Sequence, residues 1–279
     1  MPTLFRYGAL TLLVMALAAG LAVVGLYVLA GMRLDERVAA PAESVSVPSD
    51  FSALQRGQHL ASAVARCVQC HGPNLAGSVL SDSARVGRIV APNLTRGSGG
   101  IGAARSDADL GRAIRHGLDP QGRPLLSMPS DDYSGMGDAD LGAIVAYIRS
   151  VPPVESRLPP SDIRPVGRIL FALGRLPLLP SSNIDQFATR PPAPQPGVTP
   201  AYGAYLSRIA GCASCHGPGF STSFAEADFL RVMRTGTLPD GSIVATAMPW
   251  QYFAQMTDDE LRAIWTFLTA STQGRSPTG

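Results

Sequence analysis

The sequence contains no lysine, so arginine carries all of its basic charge, and the formal net charge is only +2. No dense basic run occurs either, which removes the electrostatic footprint expected of a nucleic-acid-binding surface. No nucleic-acid partner is therefore expected. Cysteine is just as scarce: there are four in 279 residues, and all four fall in two copies of one short pattern. Two of the four histidines close those same patterns. His59 and His116 are then the only histidines free for acid–base work elsewhere.

The pattern is C-x-x-C-H, present as ARCVQCH at residues 65–71 and as GCASCH at residues 211–216. A CxxC turn can serve a structural zinc site, a dithiol redox pair or thioether attachment of haem, and the following histidine separates them. In c-type attachment both thiols bond the porphyrin and the adjacent histidine becomes the proximal iron ligand. A zinc ribbon would pair two CxxC turns roughly 15–20 residues apart, whereas Cys70 and Cys212 lie far more distant. A thioredoxin-like dithiol would call for a βαβ pattern, and the flanks here read as helical. Two covalently attached haem c groups are the expected cofactors, held by Cys67, Cys70 and His71 and by Cys212, Cys215 and His216.

Each iron then needs a sixth ligand. LLSMPSDDY follows the first motif at 125–133 and ATAMPWQYF follows the second at 245–253. Proline biases the residue before it toward an extended conformation, which suits a methionine held on a loop. A lone methionine among apolar residues reads as core filler; recurrence at the same relative place favours Met128 and Met248 as the distal ligands. Met136 and Met256 recur too, just before the expected helix N-caps Asp138 and Thr257, where an apolar residue staples the first turn. They read as packing residues.

Length suits about two domains, and the duplicated motif divides the chain. The expected fold is all-α: two class I cytochrome c-like haem domains in tandem behind an N-terminal transmembrane helix. The expected segments are a signal-anchor helix over 1–32, a linker over 33–50, haem domains over 51–154 and 200–270, a proline-rich interdomain linker over 155–199 and a disordered tail over 271–279. Residues 8–32 carry no charge and exceed the roughly 20 residues needed to cross a bilayer; a cleaved signal peptide would have a shorter apolar region. Arg6 before the span and Arg33 and Arg37 after it leave orientation poorly determined.

Within the first half, FSALQRGQHLASAVARC reads as a helix leading into the motif, with Gly57 implying a close helix approach. SDADLGRAIRHGL begins with Ser106 and Asp109 at capping-box spacing and ends near Gly117. GDADLGAIVAYIRS puts Leu141, Ile144, Val145 and Ile148 on one face before Pro152 and Pro153 stop it. The second half repeats the order, closing on a helix whose buried face is Leu261, Ile264, Trp265 and Leu268, and an internal duplication is the economical reading. The histidine-to-methionine spacing differs, about 57 residues against about 32, with the extra material at 74–105. ILFALGRLPLLP at 169–180 is too short to span a bilayer and reads by default as packing within the chain.

LQRGQHLASAVARCVQCHG, GRIVAPNLTRGSGGIG at 87–102, GRPLLSMPSDDYSGMGDADLGAIVAYIRSVPPV, and CASCHG with AMPWQYF together resemble the c-type cytochrome subunits of membrane-bound bacterial alcohol, aldehyde and sugar dehydrogenases. The resemblance covers most of 51–154 and, less fully, 200–270. It implies that the APNLT stretch lines the haem, with Asn93 and Thr95 facing either a propionate or an ordinary loop turn. Those subunits typically carry three haems and a carboxyl-terminal anchor, whereas this chain has two motifs and an amino-terminal span. An anchored two-haem chain also resembles the dihaem subunit of a haem-copper oxidase.

With His and Met on both irons no coordination position is open, and the expected chemistry is one-electron transfer between a dehydrogenase or quinol-oxidising donor and a terminal oxidase or soluble cytochrome acceptor. Thioether attachment in bacteria is completed outside the cytoplasmic membrane, a property of the c-type class, so the haem domains are expected on the periplasmic side of the inner membrane. The rival of another class is a dihaem peroxidase or sulfur-compound oxidoreductase with one open iron. It would need an acid or base near that iron, and His59, in an exposed-looking helix pattern, and His116, at a helix end, both read as structural. A haem-based sensor would need a signalling output segment, and none is seen.

Overall fold

The computed structural model describes residues 2–273, and it is mostly helical. The expected tail at 271–279 falls largely outside the described residues, although the last helix continues to Gln273. Helix α1 (Pro2–Leu34) contains a 30-residue stretch, Phe5–Leu34, long and apolar enough to cross a membrane, with its side chains turned outward. Among residues 5–34 the C-terminal end is the part that packs on the rest of the chain, with Ala30 and Leu34 joining a small core.

The first half opens with α2 (Phe51–His59), whose N-cap Asp50 accepts a hydrogen bond from the Ala53 amide, continues as a π-helical turn (Leu60–Val64), and enters the short helix α3 (Cys67–His71) through Arg66, a left-handed residue at φ 53°. After a strand pair come α4 (Asp107–His116), with the expected Ser106/Asp109 capping box, then α5 (Ser130–Tyr133) and α6 (Asp138–Ser150). One helix start differs from expectation. Asp138 is the first helical residue, and the cap is Gly137, which has no side chain to offer; Asp138 instead accepts a bond from Arg115 at 2.6 Å. Leu141, Ile144, Val145 and Ile148 are buried on the inner face of α6, each contributing about 1.5–3 kcal/mol of apolar burial.

Not everything in the first half is helical. Residues 74–105 supply β1 (Ser78–Ser83) and β2 (Gly87–Ala91), antiparallel, and β3 (Asp162–Ile163) adds an edge in the order β1-β2-β3. The β-branched pair Ile89 and Val90 favours extended backbone, but the strands are too short for alternation to announce them. The stretches expected as linkers are also structured. Glu43 is buried against Arg115, at 2.7 Å, and Val45 and Val47 pack on the core. Residues 155–199 wrap the first half: α7 (Pro165–Ala172) lies against the end of α1, with Arg33 over the Phe171 ring and Arg168 over that of Tyr27. A 3₁₀ turn (Pro180–Asn183) follows, and Phe171, Leu178 and Leu179 form a small core with Ala30 and Ile163. The apolar segment 169–180 thus packs within the chain.

The second half runs α8 (Pro200–Ile209), α9 (Cys212–His216), α10 (Glu226–Thr235), α11 (Trp250–Phe253) and α12 (Asp258–Gln273). Its frame repeats the first in detail. Methyl groups built at Gly57 and at Gly203 would overlap the backbone carbonyls of Ala143 and Ala263, so α2 crosses α6 and α8 crosses α12 at glycine. Arg115 donates to the Met136 carbonyl and to Asp138, and Arg234 to the Met256 carbonyl and Asp258. Met136 and Met256 are fully buried, in keeping with packing roles, and Thr257 caps α12 reciprocally with Glu260.

The halves share one continuous core and a polar junction. Arg56 bonds Asp140 of α6 and reaches Glu260 of α12 and Tyr202 of α8. Two residues after each crossing glycine, His59 bonds Glu260 at 2.7 Å and Tyr205 bonds Asp140 at 2.6 Å, an exchange with approximate two-fold character. His59 is therefore half-buried in a junction rather than on an open face. Burial opposes ionisation of Glu260, but the His59 hydrogen bond, the Thr257 amide and Arg56 outweigh it and hold its pKa below the usual carboxylate value. A depressed carboxylate contributes stability above its unfolded pKa, near 4.5, and loses that contribution as pH falls through the folded value. Glu260→Ala is expected to cost about 3 kcal/mol in urea unfolding at neutral pH by leaving Arg56 short of a buried partner. The cost should shrink below pH 4.5; an equal cost at pH 3 and pH 7 would contradict it.

Candidate functional site

Both CxxCH motifs form single helical turns entered through a left-handed residue, Arg66 in the first and Gly211 (φ 69°) in the second. Such a turn presents both cysteines and the histidine from one short segment. The cysteines form no disulfide. Among the described residues no group of three or more His, Cys, Asp or Glu side chains converges, so the two turns do not combine into a zinc-type donor set.

Cys67 and Cys212 pack against the core, as do Met128 and Met248, so each half brings one cysteine and one methionine of its expected set to the same apolar interior. The two Met-Pro corners share one geometry. Pro129 has ψ 55° and Pro249 ψ 48°, and in each corner the amide two residues on bonds the methionine carbonyl, at 2.8 Å for Ser130 and 2.9 Å for Trp250. Leading into them, the Leu125 amide bonds Gly117 and the Val244 amide bonds Gly236, at 2.7 and 2.8 Å. Proline at the corner and a glycine C-cap upstream are the local causes.

The histidines differ. His71 Nδ1 lies 2.9 Å from the Pro92 carbonyl, which fixes the ring and leaves Nε2 for a metal. Burial depresses its pKa while the Pro92 bond opposes, so the ring is neutral at physiological pH, the form that ligates. His216 stacks on Phe220 at 5.5 Å, and among the described residues its ring nitrogens have no hydrogen-bond partner. A cleft beside the second motif is lined by Ala213, Phe220 and Phe267 together with Asp131, Asp132 and Arg208. Burial pushes the thiols of Cys67 and Cys212 up to about 12 and raises that of Cys70, with the Arg66 guanidinium opposing in all three. Two unpaired thiols, an imidazole and a thioether in each half form a donor set that fits covalent haem.

Asn93 and Thr95 are both buried, and their polar atoms are engaged locally: Asn93 Oδ1 accepts from the Thr95 amide and hydroxyl, and Asn93 Nδ2 donates to the Val154 carbonyl at 2.8 Å. They staple the loop that carries Pro92. His116 is fully buried away from both motifs, its Nδ1 2.6 Å from Gln186 and its Nε2 3.0 Å from Glu43. Sequence reasoning passed over Arg66, Asp132, Tyr133 and Pro92. Asp132 of the first methionine loop accepts from Ser214, inside the second motif, at 2.6 Å, and Arg66 donates to the Ala210 carbonyl at 2.9 Å. The two motifs are therefore neighbours, a fact with no local sequence signal.

Comparison with known proteins agrees with this geometry. Residues 54–152 match the family model for cytochrome c. One of the subunits of the nicotinate dehydrogenase of Pseudomonas putida is 32% identical over 174 residues, 59% of this chain and 14% of that protein. The gluconate 2-dehydrogenase cytochrome c subunit of Pantoea cypripedii is 34% identical over 175 residues, 59% of this chain and 38% of its own length. The fructose dehydrogenase cytochrome subunit of Gluconobacter japonicus is 36% identical over 106 residues, 35% of this chain and 22% of that protein. The chain thus spans well under two thirds of each of these relatives. Residues 54–152 thus carry a cytochrome c domain, which implies covalently bound haem c.

Proposed function

We propose that the chain is a membrane-anchored dihaem cytochrome c that passes single electrons from a dehydrogenase to a downstream acceptor or terminal oxidase. The observation that carries this is the recurrence, in both halves, of a CxxCH turn and a Met-Pro corner within one hydrogen-bonded frame. In this reading Cys67, Cys70 and His71 with Met128 hold one haem c, and Cys212, Cys215 and His216 with Met248 hold the other. Bound haem supplies a one-electron Fe(III)/Fe(II) couple.

The residues of the chain do the rest. His71 is held by Pro92 in the tautomer that ligates. Met128 and Met248 complete coordination, so that no position is left for substrate. The shared core packs against Cys67 and Met128 in one half and Cys212 and Met248 in the other, an apolar backing for each site. Asp132–Ser214 and Arg66–Ala210 hold the motifs side by side, the proximity that hopping between two centres requires. The apolar stretch Phe5–Leu34 supports anchoring in a membrane, and the completion of thioether attachment outside the cytoplasmic membrane, a property of the c-type class, is the ground for placing the haem domains, 51–154 and 200–270, on the periplasmic side of the inner membrane. The names of the relatives support a dehydrogenase as donor.

A pyridine haemochrome assay of purified protein is expected to give two haems per chain, and fewer would overturn the dihaem reading. Purification from membranes in mild detergent is expected to bring a dehydrogenase with it. Recovery with a haem-copper oxidase instead would reassign the chain to that complex.

A further inference from the structure

Corresponding positions in the two halves differ at one telling place. In the first half the carbonyl of Ala65, two residues before Cys67, is capped from within that half by the Tyr133 hydroxyl at 2.6 Å. The counterpart carbonyl in the second half is Ala210, two residues before Cys212. The residue matching Tyr133, five beyond the methionine, is Phe253, which has no hydroxyl to give. Arg66 fills the gap from the other half: its Nη2 donates to Ala210 O at 2.9 Å and its guanidinium lies over the Phe253 ring, 5.1 Å from the centroid. The position matching Arg66 is Gly211, where a methyl group would run into Asp132 and crowd the Arg66 guanidinium.

Register explains how Arg66 arrives there. Ten residues separate Gly57 from Cys67 but nine separate Gly203 from Cys212, and the extra one is absorbed in the π-helical turn at Leu60–Val64, where the Ala65 amide bonds the Leu60 carbonyl at 2.7 Å. Single π turns of this kind are frequent at functional sites. The Arg66 Nε is buried without a protein partner, and among the described residues no carboxylate is in ion-pair contact with the guanidinium. Its positive charge is therefore held between the motifs beside the Asp132 carboxylate, with which it interacts electrostatically but makes no ion-pair contact.

We propose that Arg66 is a positioning residue shared by the two haem sites, which caps the second site where Phe253 cannot and raises the reduction potential of both haems. The inference rests on the dihaem reading above. Each one-electron reduction removes one positive charge from an iron, and a neighbouring cation favours that change. The same side chain gives a bonded route from the backbone at Cys67 across one hydrogen bond to the backbone two residues from Cys212.

The test is a redox titration of both haems with thermal melts in the full-length protein, Arg66→Met, Arg66→Lys and the double variant Arg66→Met/Phe253→Tyr. Both potentials should fall in Arg66→Met and stay low in the double variant, whose new tyrosine hydroxyl restores the cap and hence the melting temperature; Arg66→Lys should keep the potentials high. If Arg66→Met alone loses haem, the double variant carries the comparison. Potentials equal to those of the unsubstituted protein in the double variant would overturn the electrostatic role, and no recovery of melting temperature there would overturn the capping role. Fewer than two haems in the unsubstituted protein would instead overturn the reading on which both rest.

Discussion

Replacing Met128 with alanine is expected to abolish the long-wavelength thioether-to-iron absorption of one haem and to lower its reduction potential, and Met248→Ala to do the same to the other. A thioether is a weak donor that favours the reduced iron, and axial ligation commands haem potentials over roughly 0.8 V, so its loss should shift a titration by a sizeable part of that range. Both methionines are half-buried at the edge of the core, on corners of matching geometry. Truncation there should cost less stability than in the interior. Met136 and Met256, fully buried, supply the control: alanine at either is expected to cost about 2–5 kcal/mol while leaving the absorption intact. A spectrum unchanged in Met128→Ala or Met248→Ala would strike that residue from the ligand set. A single variant that disturbed both haems equally would mean that the two corners do not serve separate sites.

The features legible in the sequence were those written in local pattern. The CxxCH turns, the Met-Pro corners, the capping box at Ser106 and the inner faces of α6 and α12 each depend on residues within a few positions of one another. What stayed hidden depends on partners far along the chain. Arg56 and Glu260 are about 200 residues apart, so nothing near His59 signals that its ring is engaged rather than exposed. Residues 33–50 and 155–199 lack periodicity and read as linkers, yet Glu43 and Gln186 are fixed by Arg115 and His116. The sheet over 78–91 escaped because its strands are five or six residues long with a bulge near Val79 and Ser81, too short for a period-two signal. The π turn leaves no compositional mark; it shows only when the glycine-to-cysteine spacings of the two halves are set side by side.

Gly57→Ala and Gly203→Ala are expected to be the most destabilising single substitutions in the helical frame. Intrinsic propensity favours alanine by about 1 kcal/mol, so any loss must come from the crossing. At each crossing the added methyl would overlap a backbone carbonyl, Ala143 or Ala263, and neither can rotate aside as a side chain would. Both alanines are themselves buried, so the helices must separate, and separation strains Arg56 and Tyr202, which flank the two glycines and bond each other at 3.1 Å. A net cost of about 3 kcal/mol or more follows from overpacking, read as a fall in melting temperature of about 6–12 °C for a protein of this size. Gly20→Ala gives the contrast: nothing lies within 4 Å of the added methyl in α1, and stability should not fall. Because Arg56 ties α2 to both α6 and α12, a substitution at either crossing should broaden or lower unfolding of the whole haem-bearing region. Independent melting of the two halves in Gly203→Ala would show that the junction does not couple them.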